Sequence, residues 1–443
     1  MCLGWLLMGV LNAGAQSSNP AAVGSMKLTL DKAIEIALAE NPVIRVADKD
    51  VELKKVADKE AWQALLPTLD GSLAFSHAIK VAQMKIGGQT VKFGQDGSST
   101  ATGALALNVP VFAPAVYQNM KLTKEDIQLA QEKARGTRLD LVNQVTKAYY
   151  GALLSQDSYE VMRRNYKVAK QNFDVVNSKY EVGAVSEYDK ISADVQVRSV
   201  NSAMVSAETG RNLALLKLKV LMGVTANVDI LIDDSLSAYQ EKLLLPDAEI
   251  RENDLEGNSS LRQLAHNMTL LERTRKLLHT NFMPTVALSL TGQYQSVSNP
   301  DWNIFRYQYS PSATLALSVN IPIFHADNWT KLKSNKIMMA QLEDTRVNTR
   351  RQVSMQAESY RQNMASTIAQ VSSNAEAVRQ AMKAVQISGK RYEIGRGTIL
   401  ELNQSENAEI QAELTFVQSI YDYLTNKADL DYTLGRDTYL NGK

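Results

Sequence analysis

Cysteine is nearly absent from this chain of 443 residues: its one thiol, Cys2, stands at the extreme N-terminus. That excludes a disulfide framework, a thiolate nucleophile and a cysteine zinc site from the rest of the chain. Proline occurs ten times and glycine 22 times, and long stretches carry neither, which favours extended helices over a doubly wound α/β enzyme. An excess of one charge is also missing, because 48 Lys and Arg face 47 Asp and Glu for a formal charge of +1. With no basic surplus to meet a phosphate backbone, nucleic acid is not an expected partner. The chain shows no catalytic constellation. Its histidines, at 77, 266, 279 and 325, are isolated from one another and have no metal-ligand spacing. The glycine-rich stretch from Gly87 to Gly97 lacks the Gly-Lys-Ser/Thr ending of a phosphate cradle and reads as a loop between strands. No Gly-x-Ser-x-Gly elbow is present. The chain is therefore not expected to be an enzyme, and no metal or cofactor is expected.

Long apolar runs are scarce as well. Residues 1–15, ending in Ala13-Gly-Ala15, read as a signal peptide cleaved before Gln16, although the charged n-region is missing. Beyond them nothing approaches the ~20 consecutive apolar residues of a spanning helix. An exported chain of this kind is either soluble or inserts as a β-barrel.

What the sequence does contain is a large internal repeat. Asn108-Val-Pro-Val-Phe112 recurs as Asn320-Ile-Pro-Ile-Phe324, Lys179-Tyr-Glu-Val-Gly183 as Arg391-Tyr-Glu-Ile-Gly395, and Leu221-Met-Gly223 as Thr433-Leu-Gly435, each pair 212 positions apart. Upstream, Leu66-Pro67-Thr68 and Met283-Pro284-Thr285 stand 217 apart, as do Asn41 and Asn258. The expected organisation is a first repeat over 27–223, an equatorial connecting segment over 224–257, a second repeat over 258–435 and a tail over 436–443.

Each repeat predicts a helix, two strands, a very long helix, a glycine break and a returning helix. The strands, about 68–80, 100–112, 285–297 and 311–323, alternate between an apolar face (Leu69, Gly71, Leu73, Phe75) and a small polar face (Asp70, Ser72, Ala74, Ser76). Four such strands of ten or more residues match a transmembrane barrel, with lipid outside and water inside. The long helices, about 115–182 and 329–394, contain no proline and would reach about 100 Å. Spacings of three and four, as in Val142, Val145, Tyr149 and Ala152, give a coiled-coil-like seam. The first returning helix, about 187–222, and the preceding helix, about 43–65, would stack end to end to match the long one, and the second repeat does the same with a returning helix at about 398–433. The fold class is thus mainly α with a β-barrel portion: a tandem-repeat, long-helix α-barrel joined to a transmembrane β-barrel of four strands per chain. Four strands cannot close a barrel, and open edges are forbidden in lipid, so several chains must share one. Two chains give eight strands and a filled interior, whereas three give twelve and room for water.

Together these residues resemble the TolC-like outer-membrane efflux proteins (outer membrane factors) over nearly all of 27–436. The carriers are the tandem repeat, Asn41-Pro42, Leu66-Pro67, the Asn-x-Pro-x-Phe exits and the Gly-x-x-Ser/Thr breaks. The resemblance implies a homotrimer with twelve strands in the outer membrane of a Gram-negative bacterium and twelve helical columns in the periplasm. It would form a passive gated exit duct of a tripartite efflux or type I secretion system, partnered by a periplasmic adaptor (membrane fusion) protein and an inner-membrane pump, and surrounded by outer-membrane lipid. It also places the periplasmic tip at the two turns, with Gly183 and Ser186 in the first and Gly395 and Thr398 in the second as the adaptor-docking residues. At the gate, Asp189 would bond to Arg396 and Tyr392, within or between chains. Glu401 would face the lumen as a cation-selecting acid, while Gln404 replaces a second one. The alternative is a structural or adhesive surface stalk anchored by a β-barrel, which would need no gate. Asp301-Trp302 and Tyr307–Tyr309 could form part of an aromatic belt at the membrane interface.

Overall fold

The computed structural model describes residues 26–436 except 88, 93, 226, 244–251 and 301. The signal peptide, Cys2, most of the C-terminal tail and Asp301 lie outside the described residues. In chain order the elements are β1 (Met26–Lys27), α1 (Leu30–Glu40), α2 (Pro42–Gln63), β2 (Thr68–Ala78), β3 (Gln83–Ile86), β4 (Gln89–Lys92), β5 (Ser98–Phe112), α3 (Pro114–Glu181), α4 (Glu187–Met222), β6 (Ile230–Leu231), α5 (Ser259–Thr280), β7 (Thr285–Asn299), β8 (Ser310–Asn320), α6 (Ala326–Glu393) and α7 (Ile399–Thr433). The long helices α3 and α6 have 68 residues each, about 100 Å at 1.5 Å per residue.

The four long strands form one antiparallel sheet in the order β2-β5-β7-β8. The helices repeat that order as columns. On one flank α3 packs against α2 and α4, on the other against α5 and α7, and α6 packs on α5 and α7. Each chain is therefore a strip, four strands wide at one end and four helical columns wide along the rest. It has one edge at β2, α2 and α4 and the other at β8 and α6.

The short helices join end to end by one device used twice. Asn41 caps α2 by accepting from Val43 N–H at 2.8 Å, and its amide donates to Leu221 O in the last turn of α4 at 2.7 Å. Asn258 caps α5 from Leu261 N–H at 3.1 Å and donates to Thr433 O of α7 at 2.8 Å. One side chain thus satisfies both a helix start and a helix end. The splice needs glycine behind it. Gly223 has φ 72° and a Cβ there would stand 2.9 Å from Glu40 O, while a Cβ on Gly435 (φ 63°) would stand 1.9 Å from Gly257 O. Gly435→Ala should therefore destabilise the chain by ~3 kcal/mol or more through backbone clash and a left-handed φ, read as a lowered thermal midpoint by circular dichroism.

The main core sits at this splice level. Val145, Ala152 and Leu153 of α3, with Leu218, Met222, Leu236 and Ile420, are sealed from solvent. The surrounding belt differs from the expectation of a connecting segment alone. It also contains α1, which was not expected, and β1, which pairs in parallel with β6. Helix α1 buries Ala33, Ile34 and Ala37 at the helical spacing the sequence already carried. The belt is pinned to α3 by Tyr149, whose hydroxyl donates to Asp234 Oδ2 at 2.9 Å, and by Asp157, whose Oδ2 accepts from Leu236 N–H at 2.8 Å. Burial is the largest influence on Asp157 and pushes its carboxyl up to about 6.

Two further differences lie among the strands. The segment before the glycine-rich loop pairs with the loop's first half as the hairpin β3–β4, a separate two-stranded sheet, and β8 stops at Asn320, whose partner Thr285 opens β7. Past that point Pro322 has no N–H to offer a ladder. At the outer end, Trp302 stacks on His77 with ring centres 4.3 Å apart and meets Phe75 at 5.6 Å.

Candidate functional site

The far end of the strip carries the two turns. Both long helices end on a left-handed glycine, Gly183 at φ 74° and Gly395 at φ 72°. Paired backbone bonds close each turn: Ala184 N–H to Lys179 O and Arg396 N–H to Arg391 O, both 2.8 Å. This is the closure only a residue without Cβ makes cheaply. Ser186 Oγ then accepts from Asp189 N–H at 3.3 Å, and Thr398 Oγ1 from Glu401 N–H at 3.2 Å, starting the returning helices.

Beyond the caps the two turns diverge. Asp189 completes a capping box, its Oδ2 accepting from Ser186 N–H at 3.1 Å and from Ser186 Oγ–H at 2.9 Å. The expected bonds from Asp189 to Arg396 and to Tyr392 are not made within one chain. The physical reason is position: a carboxylate three residues into a helix is ideally placed for the orphan N–H of the cap. Glu401, at the equivalent place, makes no such box. Its Oε2 is enclosed and lies 3.4 Å from Arg391 Nη1, an ion-pair distance without hydrogen-bond geometry. Arg391 Nη2 also donates to Arg396 O at 3.3 Å. The Arg396 side chain is exposed, and within the chain its guanidinium has no bonded partner among the described residues.

Tyr392 is half-buried against a small tip core of Val176, Ala193, Ile399 and Leu402. Its hydroxyl is enclosed with no hydrogen bond. Burial, then the Asp189 charge, raises its pKa. Gln404 is exposed. Val182, Ile394 and Leu400 project from the turns into solvent. Sequence reasoning missed Lys179 and Arg391, which occupy the same place in the two repeats. Lys179 Nζ stands 5.1 Å over the Tyr392 ring and donates to Glu393 O at 3.3 Å. Their signal was available, since a cation in the last turn complements the helix dipole.

A second missed group lies one turn further from the tip, in the seam between α3 and α7. Glu406 is 4% exposed and accepts a hydrogen bond from the Asn172 amide. Glu413 accepts from Arg164 at 3.0 Å, and Glu409 lies between them on the same helix. Burial outweighs the Asn172 bond and pushes the Glu406 carboxyl up to about 7.

The edges of the strip complete the site. On α4, Ile191, Val195, Val205, Leu213, Leu216 and Val220 are exposed. At 100° per residue they fall within about 40° of one line, opposite the buried Ala193, Val200, Leu218 and Met222. Val43, Val46, Leu53 and Val56 are exposed on α2, and Ile337, Met355 and Ile387 are exposed on α6 at the other edge. Among the described residues no helix is long and apolar enough to cross a membrane. The apolar sheet face, by contrast, exposes Leu69, Leu73, Leu105, Leu315 and Leu317.

The family model described as outer membrane efflux protein matches residues 33–224 and 251–436. Among curated relatives, the alkaline protease secretion protein AprF of Pseudomonas aeruginosa is 23% identical over 338 residues, covering 75% of this chain and 69% of its own. The outer membrane protein TolC of Vibrio cholerae is 21% identical over 333 residues, with 73% and 75% covered. Among solved structures, CusC aligns with a TM-score of 0.75 at 16% identity, covering 93% of each chain. The Campylobacter jejuni CmeC outer membrane channel aligns with a TM-score of 0.72 at 17% identity, covering 98% of this chain and 93% of that one. The chain belongs to the outer membrane efflux protein family, and its role is that of an outer-membrane exit duct.

Proposed function

We propose that three copies of this chain close edge to edge into one tube that carries cargo passively from an inner-membrane pump and a periplasmic adaptor to the outside. The observation that carries this reading is the pair of open edges. Strands β2 and β8 run in opposite directions, so β8 of one copy can extend antiparallel onto β2 of the next. The apolar residues exposed on α2 and α4 need cover of the kind the exposed α6 residues offer. Such head-to-tail pairing generates a ring. Twelve strands then abolish every edge in the lipid and leave an aqueous interior. The duct itself makes and breaks no bonds; the pump supplies the energy.

The gate lies between chains. Among the described residues Asp189 makes no hydrogen bond through its Oδ1, Arg396 is exposed on the second turn, and the enclosed Tyr392 hydroxyl lacks a partner. Arg396 of one copy meets Asp189 of its neighbour and holds the tip shut, while the adaptor grips Gly183–Ser186, Gly395–Thr398 and the exposed Val182, Ile394 and Leu400. The test is single-channel recording in a planar bilayer. Wild type should give a small conductance that rises several-fold in Arg396→Ala, since an ion ring sets the barrier at a constriction. No current from either, in a preparation verified as a membrane-inserted trimer, would sink the duct and favour a structural stalk.

A further inference from the structure

The four barrel strands contain a single Asp, Glu, Lys or Arg between them, Asp70 on β2. Its face is set by alternation. Ser72, Ala74 and Ser76 share its side of β2, while Leu69, Leu73 and Phe75 take the other. Charge on the lipid face of a barrel is costly, so the carboxylate looks inward. The register continues its level across the whole sheet: Asp70 pairs with Ala106, Ala106 with Thr291 and Thr291 with Thr314. The levels above it run Ser72, Ala104, Gln293, Ser312 and then Ala74, Thr102, Gln295, Ser310, all uncharged. Nor is Asp70 one half of a structural ion pair. Within the chain its carboxylate has no hydrogen bond or salt bridge among the described residues, and the strand that would cover its edge, β8, carries no cation.

We infer that Asp70 is the charge-selecting residue of the barrel lumen: three copies form a ring of carboxylates at the junction of barrel and helical tube that favours cations and cationic solutes over anions. The inference rests on the closed-tube reading above. Twelve strands about 4.8 Å apart, tilted about 40°, give a backbone diameter of about 24 Å. With side chains inward, each carboxylate stands about 10 Å from the axis. That equals the screening length at about 0.1 M salt and is well inside the ~30 Å at 0.01 M. The ring therefore governs the whole bore in dilute salt and little of it in concentrated salt.

The experiment measures reversal potentials under a potassium chloride gradient at about 0.01–0.1 M salt. Arg396→Ala serves as the background, so that the tip does not dominate. Asp70→Asn should lower the potassium-to-chloride permeability ratio by about twofold or more, Asp70→Glu should keep it, and Asp70→Lys should move it toward chloride. The difference should fade near 1 M salt. Adding Ser72→Asp, one level up on the same face, to Asp70→Asn should restore the preference, which a merely structural role for Asp70 would not do. Equal reversal potentials for Asp70→Asn and its parent would overturn the inference while leaving the duct intact. Absence of current from every variant would instead remove the duct reading and the inference with it.

Discussion

Val205→Glu combined with Leu213→Glu should leave each chain helical and abolish the ring, giving monomers by mass photometry in detergent. Both side chains stand on the exposed line of α4, and the opposite face of that helix is already occupied by α3 and its neighbours. Burying a Val or Leu contributes about 2 kcal/mol, so two positions at three interfaces amount to roughly 12 kcal/mol of lost contact. Unpaired carboxylates trapped in the seam add further cost. Val175→Glu is the control. Val175 is just as exposed but lies on α3, which is flanked on both sides within its own chain. That variant should still form the ring. Intact trimers from the α4 double variant would show that the edge row is not the contact between copies.

Glu406→Gln should raise the thermal midpoint near pH 8 and change it little near pH 5. The wild-type carboxyl titrates at about 7 against a reference of 4.5, so the folded chain holds a proton that the unfolded chain releases. Stability from this group is therefore complete below the unfolded value and is lost as pH rises through the folded one. The loss is about 3 kcal/mol. Burial is the largest cause of the shift, and the groups facing the carboxyl modify it. Asn172 on α3 favours the ionised form, Glu409 on α7 opposes it, and burial exceeds both. Arg164, a cation of the same seam, is held by Glu413. Asp157, pushed up to about 6, loses stability in the same direction and leaves a smaller slope in the variant. Circular dichroism melts across pH, wild type against variant, read this directly. A wild-type midpoint that climbs between pH 5 and pH 8 would refute the assignment.

The repeat, the strands and the long helices are legible in local patterns of residues. A shared spacing of 212 residues, alternation of period two and proline-free runs are local signals, and local signals specify elements. The same holds for the tip turns, where Gly183, Ser186, Gly395 and Thr398 each do a job that neighbours in sequence define. Helix α1 and the hairpin β3–β4 were also written locally, in the spacing of Ala33, Ile34 and Ala37 and in the run from Gln83 to Lys92, but short elements among stronger patterns are easily passed over.

Contacts between segments far apart in sequence emerge only once the chain is folded. Asn41 and Asn258 each reach a carbonyl 175 or more positions away, and nothing in a local pattern marks a cap that also splices two helices. Glu406 looks like any surface glutamate until α3 covers it. Asp189 gives no sign in sequence that one of its oxygens is already held by Ser186 of its own turn. Hydrogen bonding goes first to the nearest orphan donor, and that is visible only when the turn has been built. The open edges belong to the same class, because an exposed valine becomes informative only when the opposite face of its helix is known to be full.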